Sequence, residues 1–282
     1  MLGCSIFVSL IINQLIEMKK ILLLVAVLVA VVANAQDRVF TYTYESGVLN
    51  KGQKEIEVGS TFLRGHQNYF KGQENRLEFE IGLGGKLQTS FYLNNAYSTG
   101  IEDDNGVQTV NSEVEYSFSN EWKLKLSDPV ANRIGSALYF EYTVAPTATE
   151  LEGKIIFDKH IGKFVHALNL VGEYVLEKEF VANGTKLTPT NASELFVEFN
   201  YGLSYKIKDN IGVGFEAMDQ NEFVNSTLQS SVLMMGPVVA YSTNGFWINL
   251  TCMPQITNFK GGGLELINHE RLQTRLMFSY AF

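Results

Sequence analysis

The chain has 282 residues, a formal net charge of −8 and two cysteines. This acidic balance excludes a typical nucleic-acid binder, which presents basic residues to phosphate, and so few thiols exclude a disulfide-stapled fold. Aromatic residues make up 12% of the chain, and 24 glycines stand against 5 prolines. Such a composition is typical of long strands joined by tight turns.

The first 35 residues have the pattern of a targeting segment. Met18-Lys19-Lys20 is a positive n-region, 21–32 is an unbroken apolar run, and Ala33-Asn34-Ala35 is a small-x-small cleavage site. The apolar run is too short for a transmembrane helix, which needs roughly 20 residues. We therefore expect 1–35 to be an upstream extension plus a cleaved signal peptide, with Met18 as the true start.

Apolar and polar residues then alternate from Lys54 to Phe282. Successive side chains of a strand point to opposite faces, so each segment with this pattern predicts a strand with one greasy and one polar side. Twelve segments qualify, with approximate bounds of 53–64, 75–84, 86–97, 111–126, 133–144, 149–158, 163–179, 192–208, 210–219, 228–242, 245–257 and 269–282.

The connections between these segments alternate in length. Tight links follow the even-numbered strands, whereas longer loops are predicted at 65–74, 98–110, 180–191 and 258–268. Short turns on one rim and long loops on the other are typical of an up-and-down transmembrane barrel. A soluble sandwich also alternates, but its strands usually have about five or six residues. We predict an all-β fold, a single antiparallel transmembrane β-barrel of about 12 strands over 53–282, with 36–52 as a periplasmic lead-in or partial plug.

One strand does not fit the alternation well. The segment 228–242 contains Met234, Met235, Gly236 and Pro237, so its inward face is ambiguous. Proline has no N–H for the ladder, and we expect Pro237 to mark a β-bulge.

Most charged residues of the strands share the parity opposite to the apolar rows, with Lys178 as an exception at the end of its strand. A Lys or Arg that faces lipid at the midplane costs about 2–4 kcal/mol, so this parity is expected to face the lumen. We expect Arg271 and Arg275 to pair there with Glu55 or Glu57 and neighbouring glutamates of the second strand. The predicted lumen-lining residues are Glu57, Glu78, Glu80, Glu115, Glu141, Glu152, Glu173, Glu198, Glu216, Arg76, Lys154, Arg271 and Arg275.

The last strand carries Phe278, Tyr280 and Phe282 on one face. An amphipathic final strand that ends in Phe resembles the assembly signal of bacterial outer-membrane barrels. It implies the barrel-assembly machinery as a partner, together with outer-membrane lipid and lipopolysaccharide.

Catalytic and metal-binding patterns are weak in this sequence. The four histidines, His66, His160, His166 and His269, are expected in loops or at the membrane interface, outside any obvious Ser/His/acid arrangement. No His-x-x-x-His and no close cysteine pair occurs. We therefore predict no catalytic residue, no metal site, no cofactor and no enzymatic activity.

Several ordered motifs carry a family resemblance. They are Glu45-x-x-x-Leu49-x-Lys51-Gly52-x-x-Glu55-x-Glu57, Arg76-Leu77-Glu78-Phe79-Glu80-x-Gly82-Leu83, Leu138-Tyr139-x-Glu141, Glu150-Leu151-Glu152-x-Lys154 and Gly236-Pro237. Together they resemble a family of uncharacterised, porin- or transporter-like outer-membrane β-barrels of Gram-negative bacteria, including Bacteroidota. The resemblance implies this fold and a location in the cell outer membrane, but no catalytic residues.

Three functions follow as hypotheses. The first is a porin-like channel for passive diffusion of small polar or cationic solutes, since acidic linings favour cations. The alternative is a closed structural or adhesive barrel with a salt-bridged lumen, because 12 strands lie between barrels that fill themselves and barrels that hold a water channel. A barrel enzyme that modifies lipid or lipopolysaccharide is the least favoured.

Overall fold

The computed structural model describes residues 38–104 and 107–282, with side chains given except at 102–104, 178–183, 187 and 189–192. The predicted signal peptide and the predicted start at Met18 lie outside the described residues. Within them, no helix is long and apolar enough to cross a membrane.

Twelve strands form one closed antiparallel barrel, which confirms the predicted fold class. Each strand pairs with its neighbours in the chain, and β1 closes the barrel by pairing with β12. The strands are β1 Lys54–Arg64, β2 Phe70–Gly84, β3 Leu87–Asp104, β4 Val107–Ser127, β5 Gly135–Val144, β6 Ala148–Ile161, β7 Phe164–Asn183, β8 Lys186–Lys208, β9 Ile211–Val224, β10 Thr227–Thr243, β11 Phe246–Asn258 and β12 Leu272–Ala281.

The two rims of the barrel differ. We call one rim the turn end: it holds the start of β1, the end of β12 and the links that follow the even-numbered strands. We call the opposite rim the hairpin end. At Gly84, Gly85 and Lys86 the chain reverses with φ of 88°, 62° and 73°, a left-handed conformation that favours glycine. Near the end of β4, Lys125 Nζ lies 2.7 Å from Oδ2 of Asp128, which begins the β4–β5 link. Its ammonium group holds the pKa of Asp128 below the usual range, helped by backbone N–H groups.

Two of the predicted long loops are wrong. The hairpin β3–β4 continues to Asp104 and Val107, and the hairpin β7–β8 continues to Asn183 and Lys186. The chain is mostly polar at the tips of these hairpins, so hydrophobic alternation fades there although backbone pairing continues. By contrast, 13 residues separate β11 from β12, from Phe259 to Arg271, as the sequence predicted for that connection.

The outer surface of the barrel is apolar and its inner wall is mostly polar. Leu93 is 61% exposed and Phe199 48% exposed on the outer surface, whereas Glu78 on the inner wall is 1% exposed. Phe278 and Phe282 are also exposed, and Tyr280 is half-buried. A large apolar exterior would be unstable in water, and this arrangement is that of a transmembrane β-barrel.

Candidate functional site: a lumen occupied by the N-terminal segment

Residues 38–52 precede β1 and fold back into the barrel, and we call them the N-terminal segment. Phe40, Thr41 and Ser46 are fully buried, and Leu49 is 3% exposed. The segment leaves the lumen at the turn end, where Gly52 N donates to Gly82 O at 2.7 Å. Part of the inner wall of the barrel therefore packs against the N-terminal segment, and the rest faces open space in the lumen.

Apolar side chains of the wall hold the N-terminal segment in two clusters. Phe40 packs with residues of β7 and β10, and Tyr42 packs with residues of β9, β10 and β11; the wall residues are Val165, Ala167, Val238 and Ala240 in the first cluster and Met218, Val232, Met234 and Met253 in the second. This explains why the inward face of β10 is ambiguous in the sequence, because β10 is apolar on both faces.

The predicted bulge at Pro237 is wrong in position. Pro237 keeps its pairing with Phe215, and the register of β10 with β11 shifts between Leu233 and Met234 instead.

Glu216 of β9 is the main polar anchor of the N-terminal segment. Its Oε1 accepts from the backbone N–H groups of Tyr42 and Thr43, each at 2.8 Å. Its Oε2 accepts from Thr41 N at 3.0 Å, Thr41 Oγ1 at 3.1 Å and Thr251 Oγ1 at 2.6 Å. Three successive backbone donors around one buried carboxylate form an anion-binding nest, in which charge-assisted hydrogen bonds are strong.

Four other strands each bind the backbone of the N-terminal segment through one polar side chain. Asn169 of β7 does so twice: its Oδ1 accepts from Tyr44 N at 2.6 Å, and its Nδ2 donates to Tyr44 O at 2.9 Å. The other contacts are Asp158 Oδ2 to Ser46 N at 3.2 Å, Gln88 Oε1 to Leu49 N at 2.8 Å and Asn249 Nδ2 to Arg38 O at 2.9 Å. The wall thus satisfies this backbone much as a neighbouring strand would.

Sequence reasoning missed these four residues as part of the site. The predicted lumen-lining set contains only Glu, Arg and Lys residues, although Gln88, Asn169 and Asn249 share the inward parity. Uncharged amides on an inward face were the available signal, since an amide can bind both the N–H and the C=O of a passing backbone.

Two inward glycines make room for the N-terminal segment. A Cβ at Gly202 of β8 would lie 2.7 Å from the ring of Phe40, and a Cβ at Gly82 of β2 would lie 2.1 Å from Asn50 O. Either atom would overlap its neighbour. The wall is therefore shaped to fit this segment.

On β1 and β2, four glutamates face each other in register. Glu55 pairs with Glu80 and Glu57 pairs with Glu78 across the two strands, and like charges directly opposite are destabilising. Glu55 is held by Ser279 and by Trp247 Nε1, the latter at 2.7 Å. Arg38 Nη1 lies 3.6 Å from Glu57 Oε2. The N-terminal segment therefore brings a cation to the most crowded acidic part of the wall.

The basic side chains of the lumen stack on tyrosine rings. Arg38 and Lys154 each lie 4.3 Å from the ring centroid of Tyr44. Lys154 Nζ also lies 2.9 Å from Glu152 Oε1. Both aromatic faces and carboxylates thus hold these buried cations.

The predicted pairing of the β12 arginines with Glu55 or Glu57 is wrong. Register places Arg275 opposite Thr61, and its Nε donates to Thr61 Oγ1 at 2.8 Å while its guanidinium lies 3.8 Å from the Tyr42 ring centroid. Arg271 precedes β12 and is exposed at the hairpin end, where its N donates to Gly65 O. Register, which the sequence does not reveal, decides these contacts.

A cavity of about 580 Å³ lies between the N-terminal segment and the hairpin end. Tyr42 and Tyr44 contribute to its floor, and His269 of the β11–β12 loop contributes near the hairpin rim. Eight glutamates but only three Arg or Lys residues are among the described residues that line it. The glutamates are Glu74, Glu141, Glu150, Glu152, Glu173, Glu198, Glu222 and Glu270, and the cations are Arg76, Lys154 and Arg275. We call this space the acidic vestibule.

The N-terminal segment separates the predicted lumen residues into groups. Seven of them line the acidic vestibule: Glu141, Glu152, Glu173, Glu198, Arg76, Lys154 and Arg275. Glu115 lines an adjoining cavity of about 300 Å³. On the turn side, Glu57 and Glu80 line a space of only about 20 Å³ with Arg38. Glu78 and Glu216 are buried.

His269 lies in the β11–β12 loop, where it meets a serine and an acid that are remote from it in the sequence. Its Nε2 lies 2.9 Å from Ser230 Oγ, which also donates to Glu222 Oε2 at 3.0 Å. The carboxylate binds the hydroxyl and approaches the imidazole only to 4.0 Å, at the same Nε2. In a catalytic triad the acid instead orients the other ring nitrogen. Ser230 is also 2% exposed, so this cluster has the geometry of a contact that fastens the loop to β10.

Fold and lumen together define a transmembrane β-barrel with an occupied interior. The chain belongs to the family of unknown function DUF6662, whose profile matches residues 32–282. A search of curated proteins found no match.

Solved structures with this fold include barrels of different functions. An outer membrane channel from Pseudomonas putida F1 is 12% identical with a TM-score of 0.58, covering 87% of this chain and 100% of its own. The translocator domain of the autotransporter NalP from Neisseria meningitidis is 11% identical with a TM-score of 0.55, covering 83% and 90%. The β domain of the Bordetella autotransporter BrkA is 9% identical with a TM-score of 0.52, covering 82% and 100%. At such identities the likeness establishes the fold.

Proposed function

We propose that the protein is an outer-membrane, porin-like channel for small polar or cationic solutes, in which the N-terminal segment controls passage. Solutes would enter the acidic vestibule from the hairpin end and move by passive diffusion, without covalent chemistry. The observation that carries the proposal is the vestibule itself, a space of about 580 Å³ with eight glutamates that stops at Tyr42 and Tyr44.

The electrostatics of the acidic vestibule support a preference for cations. Its described lining carries five more glutamates than Arg and Lys residues, and low-dielectric walls focus such a charge excess into the cavity. Rings of acidic side chains select cations in channels. Anions would meet the opposite field before they reached the N-terminal segment.

Control by the N-terminal segment is supported by how it is held. Its anchors are hydrogen bonds and small apolar clusters, contacts that can be broken and remade without unfolding the strands. On the turn side of the segment, a space lined by Arg38, Glu57 and Glu80 measures only about 20 Å³, about enough for a water molecule. We therefore expect passage through it to require a shift of the segment.

The test is single-channel recording on refolded chain in a planar bilayer under a KCl gradient. We expect rare steps from the wild-type chain, more frequent steps from Glu216→Gln, and a reversal potential that indicates cation selectivity. Replacing Glu74 and Glu150, which line both cavities, by Gln should move this potential toward zero. A reversal potential at zero for the parent would contradict the proposed selectivity.

A closed structural or adhesive barrel is the second candidate, and the fully buried backbone anchors of the N-terminal segment favour it. The same recordings separate the two. Silence from both the wild-type and the Glu216→Gln chain, each folded as judged by heat-modifiable migration on a gel, would support the closed barrel.

The proposed location has consequences for partners. The apolar exterior would contact outer-membrane lipid and lipopolysaccharide at the hairpin end. Phe278 and Tyr280 of β12 lie on the outward parity of that strand, where the barrel-assembly machinery would reach them. Crosslinking from position 278 during assembly in cells would test this contact.

A further inference from the structure

A second cluster joins the N-terminal segment to the wall at the turn end. Glu45 of the segment meets Asp158 and His160 of β6, and each residue offers one ligand atom such that the three atoms lie within 4.8 Å of one another. Asp158 is 3% exposed and Glu45 8% exposed. The cluster lies outside the acidic vestibule and shares no residue with its lining.

The second oxygen of each carboxylate is fixed by the backbone of the N-terminal segment. Glu45 Oε2 accepts from Val39 N, and Asp158 Oδ2 accepts from Ser46 N, each at 3.2 Å. These bonds orient both side chains at the wall. They correspond to the outer contacts that hold metal-ligating carboxylates in place.

The remaining ligand atoms of the wall lack hydrogen-bond partners. Asp158 Oδ1 and His160 Nε2 are buried and accept or donate no hydrogen bond among the described residues. A buried, unpaired carboxylate oxygen is costly. An ion pair between His160 and Glu45 would leave the Asp158 oxygen unpaired, whereas a cation among the three residues would satisfy both atoms.

The distance between the glutamate and histidine ligand atoms fits a small tetrahedral ion. Glu45 Oε1 lies 3.4 Å from His160 Nε2, and ligand atoms about 2.0–2.2 Å from a tetrahedral Zn²⁺ are about 3.3 Å apart. An imidazole with two carboxylates disfavours Ca²⁺ and Mg²⁺, which prefer oxygen ligands alone. Three protein ligands and one open position are also the usual set of a zinc site that keeps a water molecule.

We propose that Glu45, Asp158 and His160 bind one zinc-class divalent cation, which fastens the N-terminal segment to β6. One ligand comes from the segment and two from the wall, so the bound ion opposes withdrawal of the segment from the lumen. Binding of the cation can be measured on the folded chain whether or not the barrel conducts ions.

The test is calorimetric titration of ZnCl₂ into a refolded chain of residues 36–282, stripped of metal and held in detergent. We expect one Zn²⁺ per chain, with affinity at least tenfold weaker in His160→Ala and in Glu45→Ala. His160→Cys should keep the site, because a thiolate also binds zinc. The matched control is His166→Ala, since His166 faces outward on β7 and contacts Tyr201; it should bind as the wild type does.

A second readout is the thermal midpoint of unfolding, which Zn²⁺ should raise in the wild-type and His160→Cys chains but not in His160→Ala. MgCl₂ should produce no such shift. Equal Zn²⁺ affinity of the wild-type and His160→Ala chains would overturn the site, as would absence of binding to folded wild-type chain. Wild-type affinity in Glu45→Ala would overturn the fastening of the segment.

Discussion

Glu216→Gln is the substitution that most directly loosens the N-terminal segment. The carboxylate accepts five hydrogen bonds, three of them from successive backbone N–H groups. The least harmful orientation of the new amide places its NH₂ at the Oε2 position, where the hydroxyls of Thr41 and Thr251 can rotate to become acceptors. Thr41 N–H is then left unpaired, and the bonds from Tyr42 and Thr43 lose their charge assistance.

The magnitude follows from these losses. An orphaned buried donor costs about 1–3 kcal/mol, and a bond to a charged group is worth about 1 kcal/mol more than a neutral one. Because two bonds lose their charge assistance, we expect docking of the segment to weaken by about 3–5 kcal/mol in total. Since about 1.4 kcal/mol corresponds to a tenfold change, the undocked population should rise roughly 140- to 3,700-fold.

Thiol labelling measures that population. Thr43 is fully buried, so a Thr43→Cys reporter in a Cys252→Ser background reacts with a bulky maleimide only when the segment leaves its site. When redocking is faster than labelling, the rate is proportional to the undocked population. The matched control is Glu198→Gln, which removes the same charge from the inner wall of β8, where Glu198 binds Gln220.

Labelling of folded Glu216→Gln at the rate of its parent would refute the reasoning. An equal acceleration in Glu198→Gln would refute it as well, because the effect would then come from the charge of the lumen and not from the backbone anchor.

Two further substitutions probe the fit of the N-terminal segment. Arg38→Gln should lower the thermal midpoint of the barrel by several degrees, because Glu57 then loses the cation at 3.6 Å; an unchanged midpoint in a scan of folded chain would contradict this role. Gly202→Ala should accelerate thiol labelling at least tenfold, because the new Cβ would lie 2.7 Å from the Phe40 ring. The control is Gly172→Ala, whose new Cβ would have no heavy atom within 4 Å. Equal labelling rates in the two alanine variants would contradict the role of Gly202 in fitting Phe40.

Much of the wall could be predicted because lipid imposes a strict rule on it. Along β5, Leu138, Phe140 and Tyr142 are exposed while Tyr139 and Glu141 are buried, as alternation predicts. The rule weakens outside the membrane, and the alternation therefore predicts a loop at 98–110, where β3 and β4 continue as strands. There both faces of the hairpin meet water, and polarity no longer distinguishes strand from loop.

The contents of the lumen were harder to predict from the sequence. Contacts such as Thr41 with Glu216 join residues 175 positions apart, and neither residue has a local pattern that names its partner. The apolar inward face of β10 was visible as an anomaly at Met234. Its cause is Tyr42 of the N-terminal segment, which packs against that face. The contacts of His160 with Glu45 and of His269 with Ser230 likewise have no local signal in the sequence. They depend on strand register and on where the N-terminal segment and the β11–β12 loop pack.

Closure of the lumen by the N-terminal segment is tested most directly by the single-channel conductance of a chain of residues 36–282 beside a variant of it that lacks 38–49, both folded as judged by heat-modifiable migration. The structure predicts larger and longer openings in the shortened chain, because the acidic vestibule then continues to the turn end. Equal conductance and equal open times in the two chains would contradict it.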